Sequence, residues 1–231
     1  MSCILACVFD LGGVVLGSPL EGIREYEIAN GIPEGFVNVA IVSHGKQGAF
    51  QKLERGELPV DVFIQQFRKE LADPIQVTRF RQYLKKKNRL IPSNLPESFD
   101  IDTADLYARM MSKARTINTD MCHVLFCLRG MGIKVFALTN NWKESGNSDS
   151  SSTRFLTPYF DEIIESAVIG IRKPSRDIYA YTTTRLGVEP DQVLFLDDIG
   201  INLKAAGEFG WHTIRYVTTR SKYSHFEKQK S

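Results

Sequence analysis

A chain of 231 residues is long enough for one large domain, or for a core domain that carries a smaller insertion. Apolar residues make up 43% and charged residues 24%, which is typical of a soluble globular protein. The formal net charge of +2 argues neither for nor against nucleic acid, but no basic face interleaved with aromatic residues is evident. No apolar run approaches the ~20 residues that span a bilayer, so we expect neither a nucleic-acid nor a membrane partner.

The amino-terminal segment and the cysteines indicate the cytoplasm. The first nine residues are largely apolar, lack a basic region and run directly into Asp10, which predicts a strand and not a signal peptide. Cys3, Cys7, Cys122 and Cys127 show no metal-type CxxC spacing. We predict that Cys3 and Cys7 lie along the first strand, and that all four are small, buried or half-buried side chains in a reducing compartment.

The first predicted strand ends in a carboxylate and two glycines. Apolar residues on both sides indicate a fully buried parallel strand that ends at Asp10, and Gly12 and Gly13 follow in a turn. Open α/β sheets bind ligands at the carboxyl ends of such strands. Glycine tolerates positive φ and lets the backbone approach a bound group closely. Considered alone, Asp10 is equally well explained as a turn-forming residue.

Residues 18–115 have helical periodicity throughout most of their length. Successive helices are predicted to end at Gly31 and Gly56, because glycine commonly follows the last turn of a helix. A further helix begins at Pro59 and carries an apolar stripe, and Asp102 is predicted to cap the last one. The whole stretch is predicted to be a helical insertion after the first strand.

Strands and helices alternate in the remainder of the chain. A helix is predicted from Thr119 to Gly132, and a polar loop over residues 145–153. The other predicted strands cover 133–138, 160–164, 193–196 and 212–217, with helices over 174–186 and 202–209, and the tail from Ser221 is polar. This alternation predicts an α/β fold with a doubly wound, Rossmann-like parallel sheet.

Polar side chains follow three of the predicted strands, and one lysine lies in a connecting loop. They are Asp10, Thr139, Asn140, Asp197, Asp198 and, in the loop, Lys173. Because the carboxyl ends of parallel strands meet at one edge of the sheet, we expect these groups to converge.

This combination suits phosphoryl transfer. A carboxylate that attacks a phosphate meets like-charge repulsion, which a divalent cation bridging carboxylate and phosphate oxygens reduces. Mg²⁺ prefers one or two carboxylates together with the substrate phosphate, and is the expected cofactor. A hydroxyl, an amide and an ammonium group would hold the remaining phosphoryl oxygens.

Four stretches in this order resemble the motifs of the haloacid dehalogenase superfamily. They are residues 8–14, 138–141, 172–174 and 195–204, and the phrase from Phe50 to Glu57 followed by Phe63 and Phe67 is similar to the superfamily's cap. The chain most resembles the amino-terminal phosphatase domain of soluble epoxide hydrolases and the related domain of acyl-CoA dehydrogenase family proteins. The resemblance implies a core of residues 1–17 and 116–231, with an all-helical C1-type cap formed by residues 18–115.

The resemblance also implies roles for the residues at the sheet edge. Asp10 would be the nucleophile that forms an aspartyl-phosphate, and Lys173 and Asp197 would complete the catalytic set. Asp10, Asp198 and the backbone carbonyl of Gly12 would bind Mg²⁺. The implied substrate-binding residues are Thr139, Asn140 and Asn141.

Two neighbouring residues have open interpretations. Asn202 would hold a metal-bound water or Lys173, but it is equally well explained as a helix cap. Trp142 either lines the pocket or packs in the interior.

One position departs from the pattern of the hydrolytic members. They usually carry a second aspartate two residues after the nucleophile, which protonates the leaving group and later activates water; here Gly12 occupies that position. Loss of a general acid–base typically costs about 10²–10⁴-fold in rate. We therefore predict a slow Mg²⁺-dependent phosphatase of small phosphate esters, acting as a monomer or homodimer. The alternatives are a catalytically impaired binding or regulatory module and, with less support from the paired aspartates, a 2-haloacid dehalogenase.

Overall fold

The computed structural model describes residues 3–142 and 153–217. Five parallel strands form one sheet in the order β3-β2-β1-β4-β5. The strands are β1 Ala6–Phe9, β2 Lys134–Thr139, β3 Glu162–Glu165, β4 Val193–Asp197 and β5 His212–Arg215. The predicted parallel α/β sheet is confirmed. The predicted loop at 145–153, apart from Thr153, and the tail from Ser221 lie outside the described residues.

Residues 18–115, which follow β1, contain six α-helices. They are α1 Pro19–Ala29, α2 Phe36–Ser43, α3 Ala49–Glu54, α4 Val60–Ala72, α5 Ile75–Lys86 and α6 Thr103–Ala114. We call residues 18–115 the cap and the other described residues the core; these boundaries stay a prediction. Phe63, Phe67 and Leu71 recur every four residues along α4 and are all buried, as the apolar stripe predicts. The Asp102 side chain accepts hydrogen bonds from Ala104 N and Asp105 N, so the predicted helix cap is confirmed.

Helices cover both faces of the sheet. They are α7 Thr119–Gly130, α8 Ser166–Ile169, α9 Arg176–Leu186 and α10 Gly200–Phe209. Alternate residues of β1 point to opposite faces: Ala6 and Val8 pack in the apolar cluster of α9 and α10, while Cys7 and Phe9 pack in that of α7. The cap has a separate apolar cluster, and one core residue, Trp142, belongs to it.

The register of the central strands decides which residues meet at the sheet edge. Phe9 lies beside Ala137 of β2 and Leu196 of β4. Beyond it, the Asp10 backbone N–H donates to Leu196 O at 2.8 Å. The carboxyl ends of β1, β2 and β4 therefore finish almost level, which places the residues that follow them side by side.

Two of the four cysteines differ from the prediction. Cys7 and Cys122 are buried, whereas Cys3 and Cys127 are exposed, and all four are free thiols. Cys3 precedes β1 instead of lying along it, and Cys127 faces away from the side of α7 that is buried through Met121, Cys122 and Leu125. Within the described residues, no helix is both long enough and apolar enough to cross a membrane.

Candidate active site

A buried lysine lies between two carboxylates at the sheet edge. Lys173 Nζ lies 2.9 Å from Asp10 Oδ1 and 2.8 Å from Asp197 Oδ2, and the lysine is only 1% exposed. Burial alone would lower the pKa of Lys173, but the two carboxylates outweigh it and raise the pKa above its ordinary value. The lysine is therefore an ammonium group at neutral pH.

The side chain of Asn140 fixes the backbone of this lysine. Asn140 Oδ1 accepts from Lys173 N at 2.8 Å, and Asn140 Nδ2 donates to Lys173 O at 3.0 Å. Both ends of the amide are thus bonded to the loop that presents Lys173 to the sheet edge. The predicted role of Asn140 as a phosphate ligand stays a prediction, because its polar atoms already have these partners.

Asp197 is fully buried, and both of its oxygens accept hydrogen bonds. Its Oδ2 accepts from Lys173 Nζ and from Asn202 Nδ2 at 3.0 Å, and its Oδ1 accepts from Ile199 N at 2.7 Å. The interpretation of Asn202 as a helix cap is wrong, because Ile199 occupies the cap position before α10 and Asn202 lies within the first turn of the helix. Tyr179 in turn donates its hydroxyl to Asn202 O at 2.9 Å.

Three carboxylates offer a place for a cation. Asp10, Asp197 and Asp198 each direct one oxygen into a group whose members lie within 4.8 Å of one another. Asp198 Oδ1 is buried and accepts no hydrogen bond, which is costly for a carboxylate unless a cation or water contacts it. When all three carboxyl groups are ionised, they exceed the one ammonium of Lys173 by two negative charges, and hard carboxylate oxygens suit Mg²⁺. These residues therefore fit the predicted cofactor.

Burial changes the titration of these carboxyl groups. Desolvation, opposed by Lys173 and reinforced by the other two carboxylates, raises the pKa of Asp10 to about 8. Desolvation, reinforced by Asp197, raises the pKa of Asp198 to about 6. Both shifts come first from burial and then from neighbouring carboxylates, and a divalent cation bound to these groups would oppose them.

The two glycines after Asp10 have different surroundings. Gly13 has φ +87°, and a Cβ there would lie 2.4 Å from Asp198 Oδ2, so a side chain would collide with that carboxylate. A Cβ at Gly12 would meet only the ring of Pro19, at 3.3 Å from Cδ. The use of the Gly12 carbonyl as a metal ligand stays a prediction.

Thr139 and Asn141 both lie at the sheet edge, but their side chains have different surroundings. Thr139 is buried at the end of β2 and pairs with Glu165 of β3. Asn141 donates its backbone N–H to Ser166 Oγ at 3.0 Å and its side-chain amide to Glu165. The side chain of Asn141 is thus directed towards β3, while its Oδ1 is buried without a hydrogen bond. Their roles in substrate binding stay predictions.

Trp142 packs in the interior of the cap. Its indole Nε1–H donates to Tyr107 Oη at 2.8 Å, and its ring centroid lies 6.2 Å from that of Phe50 in an edge-on arrangement. Of the two open interpretations, the structure supports packing.

A contact between cap and core was not foreseen from the sequence. The carboxylate of Glu54, at the end of α3, lies 2.7 Å from Arg172 Nε, next to Lys173 in the chain. Both residues belong to stretches that carry the resemblance, and their opposite charges are the one signal that could have paired them.

Comparison with known proteins agrees with this geometry. The model of the haloacid dehalogenase-like hydrolases matches residues 4–210. The chain belongs to this family of hydrolases. Its resemblance to the family, stated above from four short motifs, is confirmed.

Several characterised proteins are similar to this hydrolase in sequence. Bifunctional epoxide hydrolase 2 of Mus musculus is 30% identical over 224 residues, which cover 95% of this chain and 38% of that protein. Acyl-CoA dehydrogenase family member 10 of Mus musculus is 27% identical, over 91% of this chain and 18% of that protein. D-ribitol-5-phosphate phosphatase of Bacteroides thetaiotaomicron is 23% identical over 90% of this chain and 89% of its own. The chain thus spans well under half of the first two relatives.

Solved structures share the fold of this hydrolase. A haloacid-dehalogenase-family enzyme of Bacteroides thetaiotaomicron superimposes with a TM-score of 0.59 and 19% identity, covering 98% of this chain and 99% of that one. A structure of the same enzyme with magnesium and inorganic phosphate gives a TM-score of 0.55 and 20% identity, covering 96% and 98% of the two chains. At this level of identity the likeness concerns the fold alone.

Proposed function

We propose that this hydrolase is a Mg²⁺-dependent phosphatase of small phosphate esters, which acts through an aspartyl-phosphate on Asp10. The observation that carries the proposal is the position of Asp10, 2.9 Å from the buried ammonium of Lys173 and within 4.8 Å of the carboxylate oxygens of Asp197 and Asp198. A ribitol phosphate phosphatase among the relatives, and a neighbour in fold that binds magnesium and phosphate, also support it.

In the first step, a carboxylate oxygen of Asp10 attacks phosphorus and the bond to the ester oxygen breaks. Both contacts of Asp10 are made to Oδ1, from Lys173 Nζ and from Leu11 N at 2.7 Å, so we expect Oδ2 to be the attacking oxygen. The leaving oxygen takes its proton from water. Lys173 favours the ionised form of Asp10 and keeps it in place, and Asp197 keeps Lys173 in place.

In the second step, water attacks phosphorus and the bond to the aspartyl oxygen breaks, which releases inorganic phosphate and restores the Asp10 carboxylate. Neither step has a side-chain acid or base at position 12, because that residue is glycine. We therefore expect slow turnover, and faster release from aryl phosphates, whose leaving groups need no proton, than from alkyl phosphates.

Mg²⁺ would be held by Asp10 and Asp198, and when bound it would offset the repulsion between the carboxylates and the phosphate. The buried oxygen of Asp198 that accepts no hydrogen bond supports this assignment. A dehalogenase would not require a cation here, so the same oxygen favours a phosphatase over that alternative.

The experiment that tests the proposal is release of inorganic phosphate from an aryl phosphate, with and without Mg²⁺. We expect release that depends on Mg²⁺ and falls by about 10³-fold or more in Asp10→Asn, because the nucleophile is removed. Asp61→Asn, which changes an exposed carboxylate of α4, is the matched control and should leave the rate unchanged. Equal rates in wild type and Asp10→Asn at high protein concentration would refute the phosphatase proposal.

Gly12 also favours a second candidate, a binding or regulatory module that has kept the site but lost turnover. Such a module would be stabilised thermally by Mg²⁺ together with inorganic phosphate, and would release no phosphate from any ester. The two candidates differ in one measurement, because only the phosphatase converts an aryl phosphate in the presence of Mg²⁺.

A further inference from the structure

The cap and the core are joined by an ion pair beside the candidate active site. Glu54 Oε2 lies 2.7 Å from Arg172 Nε, and the side chains are 9% and 26% exposed, respectively. The pair joins the last residue of α3 to the residue that precedes Lys173. It is therefore a direct contact between the cap and the loop that carries the buried ammonium group.

The surroundings of Glu54 show that cap and core touch closely at this point. Ser166, the first residue of α8, donates its hydroxyl to Glu54 O at 2.5 Å. Gly56 has φ +71°, and a Cβ there would lie 2.5 Å from Ala167 O, so only glycine allows this approach. The end of α3 thus lies directly on α8, and Glu54 can reach Arg172 only while the two are in contact.

The ion pair brings opposite charges together where the Glu54 side chain is only 9% exposed. Neither Glu54 Oε2 nor Arg172 Nε makes an aligned hydrogen bond, in spite of their short separation. Burial raises the pKa of Glu54, which the positive charges of Arg172, Lys173 and Arg55 oppose. A buried carboxylate that loses its partner is strongly unfavourable, so separation of α3 from Arg172 should require both groups to become hydrated.

The candidate active site is closed in this arrangement. Asp10 is 6% exposed, Thr139 5% and Lys173 1%, so little of their surface is accessible to a phosphate ester while the cap lies in this position. A movement that takes α3 away from α8 would also separate the Glu54–Arg172 pair, because Glu54 belongs to the cap and Arg172 to the core.

We propose that Glu54 is a positioning residue whose ion pair with Arg172 holds the cap closed and, through Arg172, fixes Lys173 beside Asp10. The Lys173 backbone is held on one side by Asn140, at 2.8 and 3.0 Å, and the preceding residue is held by Glu54. When the cap opens, the contact of Arg172 with Glu54 is lost. The Lys173 backbone then keeps only its two hydrogen bonds to Asn140. The consequence for catalysis rests on the proposed function, whereas the closure itself does not.

Closure can be measured without any turnover, through the exposure of Trp142 to acrylamide. The chain contains two tryptophans, and Trp211→Phe leaves Trp142, packed in the cap cluster, as the single reporter. In this background we expect Glu54→Gln to increase quenching of Trp142 by about twofold or more, because the population shifts towards the open cap. The charge-exchanged pair Glu54→Arg with Arg172→Glu should restore the original quenching.

A matched control separates this effect from the loss of any ion pair. Glu162→Gln makes the same chemical change in the core pair between Glu162 and Arg185, which lie 2.9 Å apart. We expect it to leave Trp142 quenching unchanged. Mg²⁺ with inorganic phosphate should reduce quenching when Glu54 is present, and should have little effect in Glu54→Gln.

In turnover of an aryl phosphate, Glu54→Gln should lower kcat by about tenfold or more, with a smaller change in KM, because Lys173 is misplaced while phosphate contacts remain. The charge-exchanged pair should recover most of kcat. A merely structural role for Glu54 would lower Tm without changing quenching or kcat of the folded fraction.

The outcomes distinguish this proposal from the proposed function. Unchanged Trp142 quenching in Glu54→Gln would overturn the closure proposal, whatever the activity. If quenching of Trp142 rises in Glu54→Gln but the wild type releases no phosphate, the closure proposal is supported and the phosphatase proposal is refuted. Altered quenching with an unchanged kcat would overturn the coupling to Lys173.

Discussion

The sheet edge and the cap are stabilised by different kinds of interaction. At the sheet edge, Asp10, Lys173 and Asp197 are ionisable and buried, and Lys173 Nζ lies within 3 Å of an oxygen of each carboxyl group. The cap encloses an apolar cluster rich in aromatic rings, in which Phe63 and Phe67 stack 5.0 Å apart. In the proposed function the core would supply the reactive groups and the cap would control access to them, so variants of the two regions should separate chemistry from closure.

The largest effect is expected from removing the charge at the centre of the sheet edge. Lys173→Met leaves the carboxylates of Asp10 and Asp197 buried without their shared cation, which typically costs about 3–5 kcal/mol. We expect the free energy of unfolding to fall by that amount and phosphate release to be lost. Lys204→Met, on the exposed side of α10, is the control for urea denaturation. Equal stability of the two variants would contradict the picture of a charge-compensated edge.

Introducing an aspartate at position 12 tests whether the core lacks only a general acid for efficient turnover. We expect Gly12→Asp to raise turnover of an alkyl phosphate by about 10²-fold, because a general acid then protonates the leaving oxygen. The gain should be smaller with an aryl phosphate. The new side chain must displace the Pro19 ring slightly, since its Cβ lies 3.3 Å from Cδ.

The neighbouring glycine supplies the control for this change. Gly12→Ala should fold and gain no activity, whereas Gly13→Ala should be destabilised because of its positive φ and the collision with Asp198. If Gly12→Asp folds, binds Mg²⁺ and turns over no faster than Gly12→Ala, the missing acid is not what limits the enzyme.

The raised pKa values of Asp10 and Asp198 predict how pH changes the stability of the metal-free protein. The pKa of Asp10 is raised from 3.8 to about 8, so between these values the folded protein holds a proton that the unfolded chain has released. Stability from this group therefore falls as pH rises through that range, and Asp198 contributes in the same direction between 3.8 and about 6.

Mg²⁺ should reverse this trend, because it binds the ionised carboxylates. We expect the rise in Tm caused by Mg²⁺ to be larger above the pKa of about 8 than below that of about 6. Asp10→Asn should flatten the dependence. A Tm shift that is the same at both pH values would argue against a cation site formed by these carboxylates.

The smallest effect is expected where the core inserts one ring into the cap. Trp142→Phe removes the hydrogen bond to Tyr107 and should lower the free energy of unfolding by about 1 kcal/mol. Tyr107→Phe removes the same bond from the other side, so the double variant should cost less than the sum of the two. If the losses in free energy of unfolding, measured by urea denaturation, are additive, the Trp142–Tyr107 hydrogen bond does not stabilise the contact between cap and core.

Much of the fold could be predicted from local patterns. The apolar run before Asp10 and the later run before Asp197 predict buried parallel strands, because strands covered on both faces lack polar alternation. The four-residue spacing along α4 predicts its buried stripe. Once the strands are parallel, the meeting of Asp10, Asp197 and Asp198 at one edge follows from geometry.

Other features could not be predicted, because they depend on contacts between residues distant in the chain. Nothing local to Asn140 indicates that its amide bonds the backbone of Lys173, or that Asn141 turns towards Glu165. The exposure of Cys127 depends on which side of α7 meets the sheet.

The amino-acid sequence by itself determined the strands, the polar residues that end them and the family to which the chain belongs, since each is set by neighbours along the chain. Only the tertiary structure decided that Lys173 lies between Asp10 and Asp197, that Asp198 keeps an oxygen without a hydrogen bond, and that Glu54 meets Arg172. The physical reason is that periodicity reports which face of an element is buried, whereas the partner of a buried charge is chosen by how the cap packs on the core.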